Sequence, residues 1–181
     1  MSLKIIFSGF GGQGVLMMGY VLAFAGMNED KHVTFLPSYG AEVRGGTANC
    51  TVVVSDEEIA SPIASAPEFV VAMNYPSMIK YQNMVKSGGV MFLNSDLISE
   101  EPSRGDINLF RAPVNTLAHD MGADRSLNMV MLGIVAAKTG MVSREALLLA
   151  IEKVLQGKKK SLIEMNQKAL EAGMNFATEN N

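Results

Sequence analysis

The sequence predicts a three-layer α/β fold built on a mainly parallel sheet, and three observations carry that expectation. Short apolar, β-rich runs alternate with helical patterns up to about residue 111. A glycine-rich turn, Gly9-Phe10-Gly11-Gly12-Gln13-Gly14, directly follows the first apolar run and opens an apolar helix, the strand–turn–helix order of a Rossmann-like domain. Beyond Pro113 the pattern becomes wholly helical, which adds a helical C-terminal region. With 181 residues and 48% hydrophobic content, the chain is expected to form a single domain around one core.

The elements follow in order. Residues 3–7 form the first strand and 15–25 the first helix. That helix is almost continuously apolar but falls short of the roughly 20 residues a bilayer span needs, so it reads as buried by protein, with no membrane insertion. Residues 33–36 give a second strand stopped by Pro37, and 47–55 form a β-branched run with no room before it for a crossover helix. A short antiparallel, hairpin-like insertion near residues 47–60 is therefore expected in the otherwise parallel sheet. Strands at 69–73 and 90–93 flank a helix over 77–85, with Gly88-Gly89 making the return, and 107–111 gives a further strand.

Helices are expected over 115–121, 126–138, 143–155 and 161–177. Ser126, Ser143 and Ser161 stand at N-cap positions, Gly140 and Gly157 at C-caps, and Ser161 with Glu164 makes a capping-box pattern. On the last helix Leu162, Met165, Ala169, Gly173 and Phe176 share the face expected to dock on the body.

Two glycine-rich segments carry the candidate chemistry. Gly9, Gly11 and Gly14 fit the spacing G-x-G-x-x-G, and with Gly12 they let backbone approach a phosphate or another chain closely. The second segment, Pro37-Ser38-Tyr39-Gly40-Ala41-Glu42-Val43-Arg44-Gly45-Gly46, starts where the second strand ends. Carboxyl ends of strands line the crevice of an open α/β sheet, so the two segments are expected side by side on one surface. Ser38 and Tyr39 supply hydroxyls, and Glu42 and Arg44 opposite charges; the same residues also suit a tight loop with a surface ion pair. A dinucleotide site needs an acid about 20 residues past the glycines, at the end of the second strand. Residues 33–38 contain none, and Glu29 and Asp30 precede the strand, at the wrong edge.

Elsewhere the chemistry is sparse. A net charge of −3 gives no basic footprint for nucleic acid, and Lys158-Lys159-Lys160, the one basic cluster, suits a solvated linker as well as a ligand. Cys50 is the sole cysteine, so this chain cannot supply the ligands of an iron–sulfur cluster by itself. His32 and His119 lack neighbours at ligand spacing and read as structural, so no metal site and no catalytic residue is expected. Asp120, Asp124 and Arg125 read as solvating or capping a helix junction. Of the 14 methionines, Met17, Met18, Met129 and Met131 suit the core, while Met73, Met78 and Met84 suit either core or an interface. Without a basic n-region or cleavage site, a cytoplasmic location is expected.

The order Gly9-Phe10-Gly11-Gly12-Gln13-Gly14-Val15, Pro37 to Gly46 with Thr47-Ala48-Asn49-Cys50, Ser55-Asp56 with Ser61-Pro62, and Ala72-Met73-Asn74 resembles the gamma subunit of the 2-oxoacid:ferredoxin oxidoreductases. The resemblance is close over the first half and less specific beyond it. It implies a non-cluster subunit of a complex that oxidatively decarboxylates a 2-oxoacid, conserves the acyl group as a coenzyme A thioester and passes electrons to ferredoxin. Thiamine diphosphate with Mg, and the iron–sulfur clusters, would be held mainly by alpha, beta and delta subunits, and none of them tightly by this chain. The wording of the motifs is most similar to 2-oxoglutarate and 2-oxoisovalerate enzymes, with 2-oxoglutarate and the product succinyl-coenzyme A favoured; pyruvate and indolepyruvate systems, or a stand-alone nucleotide-binding protein, are the alternatives. On this resemblance Gly9, Gly11, Gly12, Gln13 and Gly14 are candidate phosphate contacts, and Ser38, Tyr39, Glu42, Arg44, Gly45, Gly46 and Asn74 candidate interface residues that close the site.

Overall fold

The computed structural model describes residues 2–39 and 47–180. The continuous apolar run of Ile5, Ile6 and Phe7, in a strand buried on both faces from Ile5 to Gly9, produces β1 (Ser2–Phe10), and α1 (Val15–Asn28) leaves it through the glycine turn. Next come β2 (His32–Tyr39), β3 (Thr47–Ser55), β4 (Phe69–Ala72), α2 (Tyr75–Tyr81), β5 (Val90–Asn94) and β6 (Asn108–Ala112). The helical remainder comprises α3 (Val114–Asp120), a 3-10 turn (Asp124–Ser126), α4 (Leu127–Thr139), α5 (Arg144–Val154) and α6 (Lys160–Glu179).

The strands form one sheet in the order β2-β3-β1-β4-β5-β6. β1, β4, β5 and β6 are mutually parallel, and β3 runs antiparallel to both β1 and β2. The antiparallel element is thus larger than expected: β3 is a nine-residue strand wedged between β1 and β2, and ends at Ser55. β2 also continues through Pro37 to Tyr39. Proline is tolerated because β2 is an edge strand, where one side of the backbone has no ladder to serve.

Alternation assigns each strand's side chains to two layers. Ile5, Phe7, Cys50, Val52, Val54, Val71 and Phe92 face the larger core, under α1, α4, α5 and α6. Ile6, Val70, Ala72, Met91 and Leu93 face a smaller core closed by Met78 and Tyr81 of α2 and by Ala64 and Ile98 from coil segments. One such segment is pinned by Arg111, whose Nη1 donates to Ile98 O at 2.9 Å, and by Arg104, whose Nη1 donates to Val85 O at 2.7 Å. Met18, Met73, Met78, Met129 and Met131 are all buried, so Met73 and Met78 belong to the core and not to an interface, whereas Met17 is exposed.

The caps follow the sequence in part. The Ser143 hydroxyl accepts from Ala146 N at 3.2 Å, and Gly140 closes α4 with φ 60°. Ser126 precedes α4 but its side chain caps nothing. Nor does Ser161 cap α6: the helix starts one residue earlier, at Lys160, and Glu164 pairs with Lys160 at 3.6 Å. α2 begins at Tyr75 and not at 77, because Asn74 Oδ1 accepts from Ser77 N at 3.0 Å and Pro76 fits the first turn.

α6 docks through Asn166, Ala169, Leu170, Gly173 and Ala177, a face rotated from the expected one; Leu162 remains 40% exposed. The cause is its crossing with α4. A Cβ on Gly133 would run into Leu170 O, and one on Gly173 into Val130 O, so the two backbones touch where both side chains are absent. Bulk at either position has no rotamer to escape into, since the obstruction is backbone. Gly173→Val is therefore expected to destabilise the chain by about 2–3 kcal/mol or prevent folding, measured by urea unfolding, whereas Gly105→Ala, at a position open to solvent, changes little.

Candidate functional site

The parallel strands all end at one edge, and register fixes what meets there. Phe10 at the end of β1 lies opposite Thr47 at the start of β3, and Ala48 lies opposite Tyr39 at the end of β2. The glycine turn therefore shares this edge with the end of β2 and the start of β3, the described residues that flank the second glycine-rich segment. Ser38 is exposed there. Glu42, Arg44, Gly45 and Gly46 lie outside the described residues.

Within the turn, Gly12 (φ 96°) and Gly14 (φ 72°) adopt left-handed conformations, and Gly14 is the N-cap of α1. A Cβ on Gly9 would strike Val15 and Met73, and one on Gly14 would strike Asn128, so these two glycines serve close packing. Gly11 and Gly12 are exposed with open space around them. Gln13 braces the turn from within. Its Oε1 accepts from Phe10 N at 2.7 Å and from Asn74 Nδ2 at 2.9 Å, and its Nε2 donates to Met73 O at 3.1 Å. A phosphate contact at this turn thus falls to the backbone N–H groups of Gly11 and Gly12 and the uncapped first turn of α1.

Asn74, expected at the surface, is buried: it caps α2 and holds Gln13. Three further asparagines complete the edge. Asn94, at the end of β5, donates through Nδ2 to Asn115 Oδ1 at 2.8 Å and to Met73 O at 3.4 Å, while Asn128 Nδ2 donates to Gly14 O at 3.3 Å. Ser8 donates to Ser77 Oγ at 2.9 Å in the interior. The available signal for Asn94 was a polar residue immediately after an apolar strand; Asn115 and Asn128 gave none, because only the packing of α3 and α4 brings them here.

Other candidates fall away from this edge or lack the chemistry. Glu29 accepts from Ser143 N at 2.7 Å and pairs with Lys31 at 3.0 Å, at the opposite end of the sheet. Burial works to raise its carboxyl pKa, but the Ser143 hydrogen bonds and the Lys31 ammonium outweigh it and hold the group below its ordinary value. His32 and His119 are exposed and not structural core residues; His119 Nδ1 lies 3.0 Å from Asp124 Oδ1 on the rim of an open cavity of about 480 Å³. Cys50 is buried, which pushes its thiol up to about 12, so it is neither a nucleophile nor a ready thiolate ligand at neutral pH. Among the described residues no three His, Cys, Asp or Glu side chains gather as a metal site, and no helix is long and apolar enough to cross a membrane.

α1 adds a second feature beside the turn. It carries no charged residue from Val15 to Asn28, yet Met17, Tyr20 and Met27, spaced along one outward stripe with the half-buried Phe24, are 38%, 45% and 60% exposed. A helix apolar on every side is ordinarily covered on every side.

The chain that carries this braced glycine turn and apolar first helix is similar to known proteins over nearly its whole length. The family model described as pyruvate ferredoxin/flavodoxin oxidoreductase matches residues 4–176. The chain belongs to that family. The 2-oxoglutarate synthase subunit KorC of Methanothermobacter marburgensis is 34% identical, with 97% of each chain covered. The ketoisovalerate oxidoreductase subunit VorA of Methanothermobacter thermautotrophicus is 40% identical over 98% of this chain, but the chain spans only 37% of VorA's length. Among solved structures, the gamma subunit of a keto/oxoacid ferredoxin oxidoreductase from Geobacter sulfurreducens superposes with a TM-score of 0.86 at 31% identity, over 99% of this chain and 98% of that one.

Two outcomes follow from the geometry. Gln13→Ala removes three hydrogen bonds at once and leaves the Asn74 amide and the Met73 carbonyl short of partners. It is expected to cost about 2–3 kcal/mol and to speed amide exchange at residues 9–14, readable by hydrogen-exchange mass spectrometry. Cys50 should resist a disulfide reagent at pH 8 in the folded chain and react stoichiometrically once denaturant exposes it.

Proposed function

We propose that this chain is the gamma subunit of a multi-subunit 2-oxoacid:ferredoxin oxidoreductase that decarboxylates 2-oxoglutarate to succinyl-coenzyme A and CO2. The observation that carries the proposal is the end-to-end correspondence with KorC, with neither chain extending appreciably beyond the other. A branched-chain substrate is the second reading, favoured by the higher identity to VorA, although that protein is far longer than this chain.

In this role the chain contributes no reacting group. Thiamine diphosphate, Mg and iron–sulfur clusters belong to alpha, beta and delta partners; the single cysteine here is buried and protonated, and its surroundings do not fit a cluster. What the chain supplies is a surface. Gly11 and Gly12 present backbone N–H groups at the carboxyl edge, where β2 ends at Tyr39 and β3 begins at Thr47, and Ser38, Tyr39, Glu42, Arg44, Gly45 and Gly46 are the partner-facing residues of this proposal. These segments meet the catalytic subunits and close over coenzyme A, whose phosphates suit the glycine amides and the Arg44 guanidinium, with Glu42 orienting the latter. The stripe of Met17, Tyr20, Phe24 and Met27 extends the same docking surface with apolar area that aqueous solvent does not favour. Work in the cytoplasm with a soluble electron acceptor fits this assignment.

The isolated chain is expected to be silent. The complex purified from cells should reduce ferredoxin with 2-oxoglutarate and coenzyme A at least about tenfold faster than with 2-oxoisovalerate, pyruvate or indolepyruvate. A preference for 2-oxoisovalerate transfers the assignment to the branched-chain enzyme, and co-purification with no larger chain removes it. Arg44→Ala should impair assembly or raise the coenzyme A requirement; an intact complex with unaltered kinetics would exclude the role given to Arg44.

A further inference from the structure

A second place in the fold carries unspent positive charge. Between the 3-10 turn and the start of α6 lies an open cavity of about 610 Å³, whose lining includes Asp124, Arg125, Lys158, Lys159, Leu162 and Met165. Its single carboxylate, Asp124, is engaged with His119 at 3.0 Å. Elsewhere the described arginines have partners: Arg104 binds Asp106 and the carbonyl of Val85, Arg111 binds Glu101 and the carbonyl of Ile98, and Arg144 binds Glu171. The side chains of Arg125, Lys158 and Lys159 have no hydrogen-bond or ion-pair partner among the described residues, although the chain as a whole is acidic. Three cations that line one cavity repel one another, and an anion between them relieves that repulsion.

The backbone adds to this. α6 runs for 20 residues, and neither Lys159 nor Ser161 caps it with a side chain; Leu162 N donates to Lys159 O at 2.9 Å, which leaves the N–H groups of Lys160 and Ser161 at the cavity end of the helix. The rotated docking face of α6 also leaves Leu162, with Met165, as an apolar floor beside the cations. A guanidinium and two ammonium groups over exposed N–H donors are the donor set of a phosphate site, and Arg125 offers the fork geometry that phosphate oxygens fit.

We infer that this cavity binds a phosphate-bearing small ligand, with the phosphate among Arg125, Lys158 and Lys159 and any organic portion lying on Leu162 and Met165. The site is separate from the glycine turn, and the inference does not depend on the subunit role proposed above. Free phosphate anions and nucleotide-type ligands share the chemistry, and they differ in whether the apolar floor contributes.

The test uses the full chain at an ionic strength of about 0.15 M, where unspecific attraction between exposed charges is screened. Inorganic pyrophosphate and adenosine 3′,5′-bisphosphate are each titrated while amide shifts are followed by NMR. Shifts should concentrate at residues 124–126 and 159–162. The double variant R125A/K159A should weaken binding at least about tenfold, while K80A/K153A, which removes equal charge elsewhere, should not. Tighter binding of the bisphosphate than of pyrophosphate, lost in Leu162→Asp, identifies a nucleotide-type ligand; equal binding identifies a phosphate anion. Absence of shifts in this cavity, or equal weakening by both double variants, overturns the inference. The ferredoxin-reduction assay of the complex is read independently, so failure of one leaves the other standing.

Discussion

The pairing of β3 against β1, from Ser2 opposite Ser55 to Phe10 opposite Thr47, is the constraint on which the candidate site depends. A nine-residue antiparallel ladder has no freedom to slip, because a shift of one residue would turn Cys50, Val52 and Val54 out of the larger core. With that register fixed, the chain must leave β2 and enter β3 at the edge where β1 delivers the glycine turn. Two segments more than 20 residues apart in sequence are thus made neighbours by hydrogen bonds that lie mostly far from either.

The glycine turn owes its shape to a residue that is not glycine. Gly12 and Gly14 permit the backbone angles, but Gln13 chooses among the conformations they permit by tying the turn to Phe10, Met73 and Asn74. Asn74 in turn starts α2, so helix initiation on one face and the turn on the other share a single buried amide. Such an arrangement holds exposed Gly11 and Gly12 on a base braced by hydrogen bonds.

Much of this was legible in the sequence, for identifiable reasons. The strand–turn–helix opening shows because its signals are local: an apolar run, glycines, then an apolar helix. The antiparallel β3 shows because the chain between 37 and 47 is too short for a crossover helix. What failed to show was set by distant contacts. The face of α6 follows from the backbone contact at Gly133 and Gly173, which helical periodicity weighs no more than any small residue. The starts of α2 and α6 depend on which N–H groups find acceptors, and Ser161 resembled a cap only because its neighbours in sequence fit the pattern. Asn94, Asn115 and Asn128 converge through three separate elements, and Arg125 with Lys158 and Lys159 through two, so no window of sequence contains either group.

Pro37 has a bearing on how these molecules coexist in concentrated solution. The outer side of β2 is not paired with any described strand, and Leu36 on it is exposed, which makes the strand a template for a visiting chain. A proline near the end of that template offers no amide hydrogen and holds φ near −65°, away from the angles of a flat extended ribbon. A foreign strand aligned there meets a gap in the ladder beside the site-bearing edge. The residue that looked in the sequence like the end of a strand thus works against edge-to-edge pairing of β2 with a strand of another molecule.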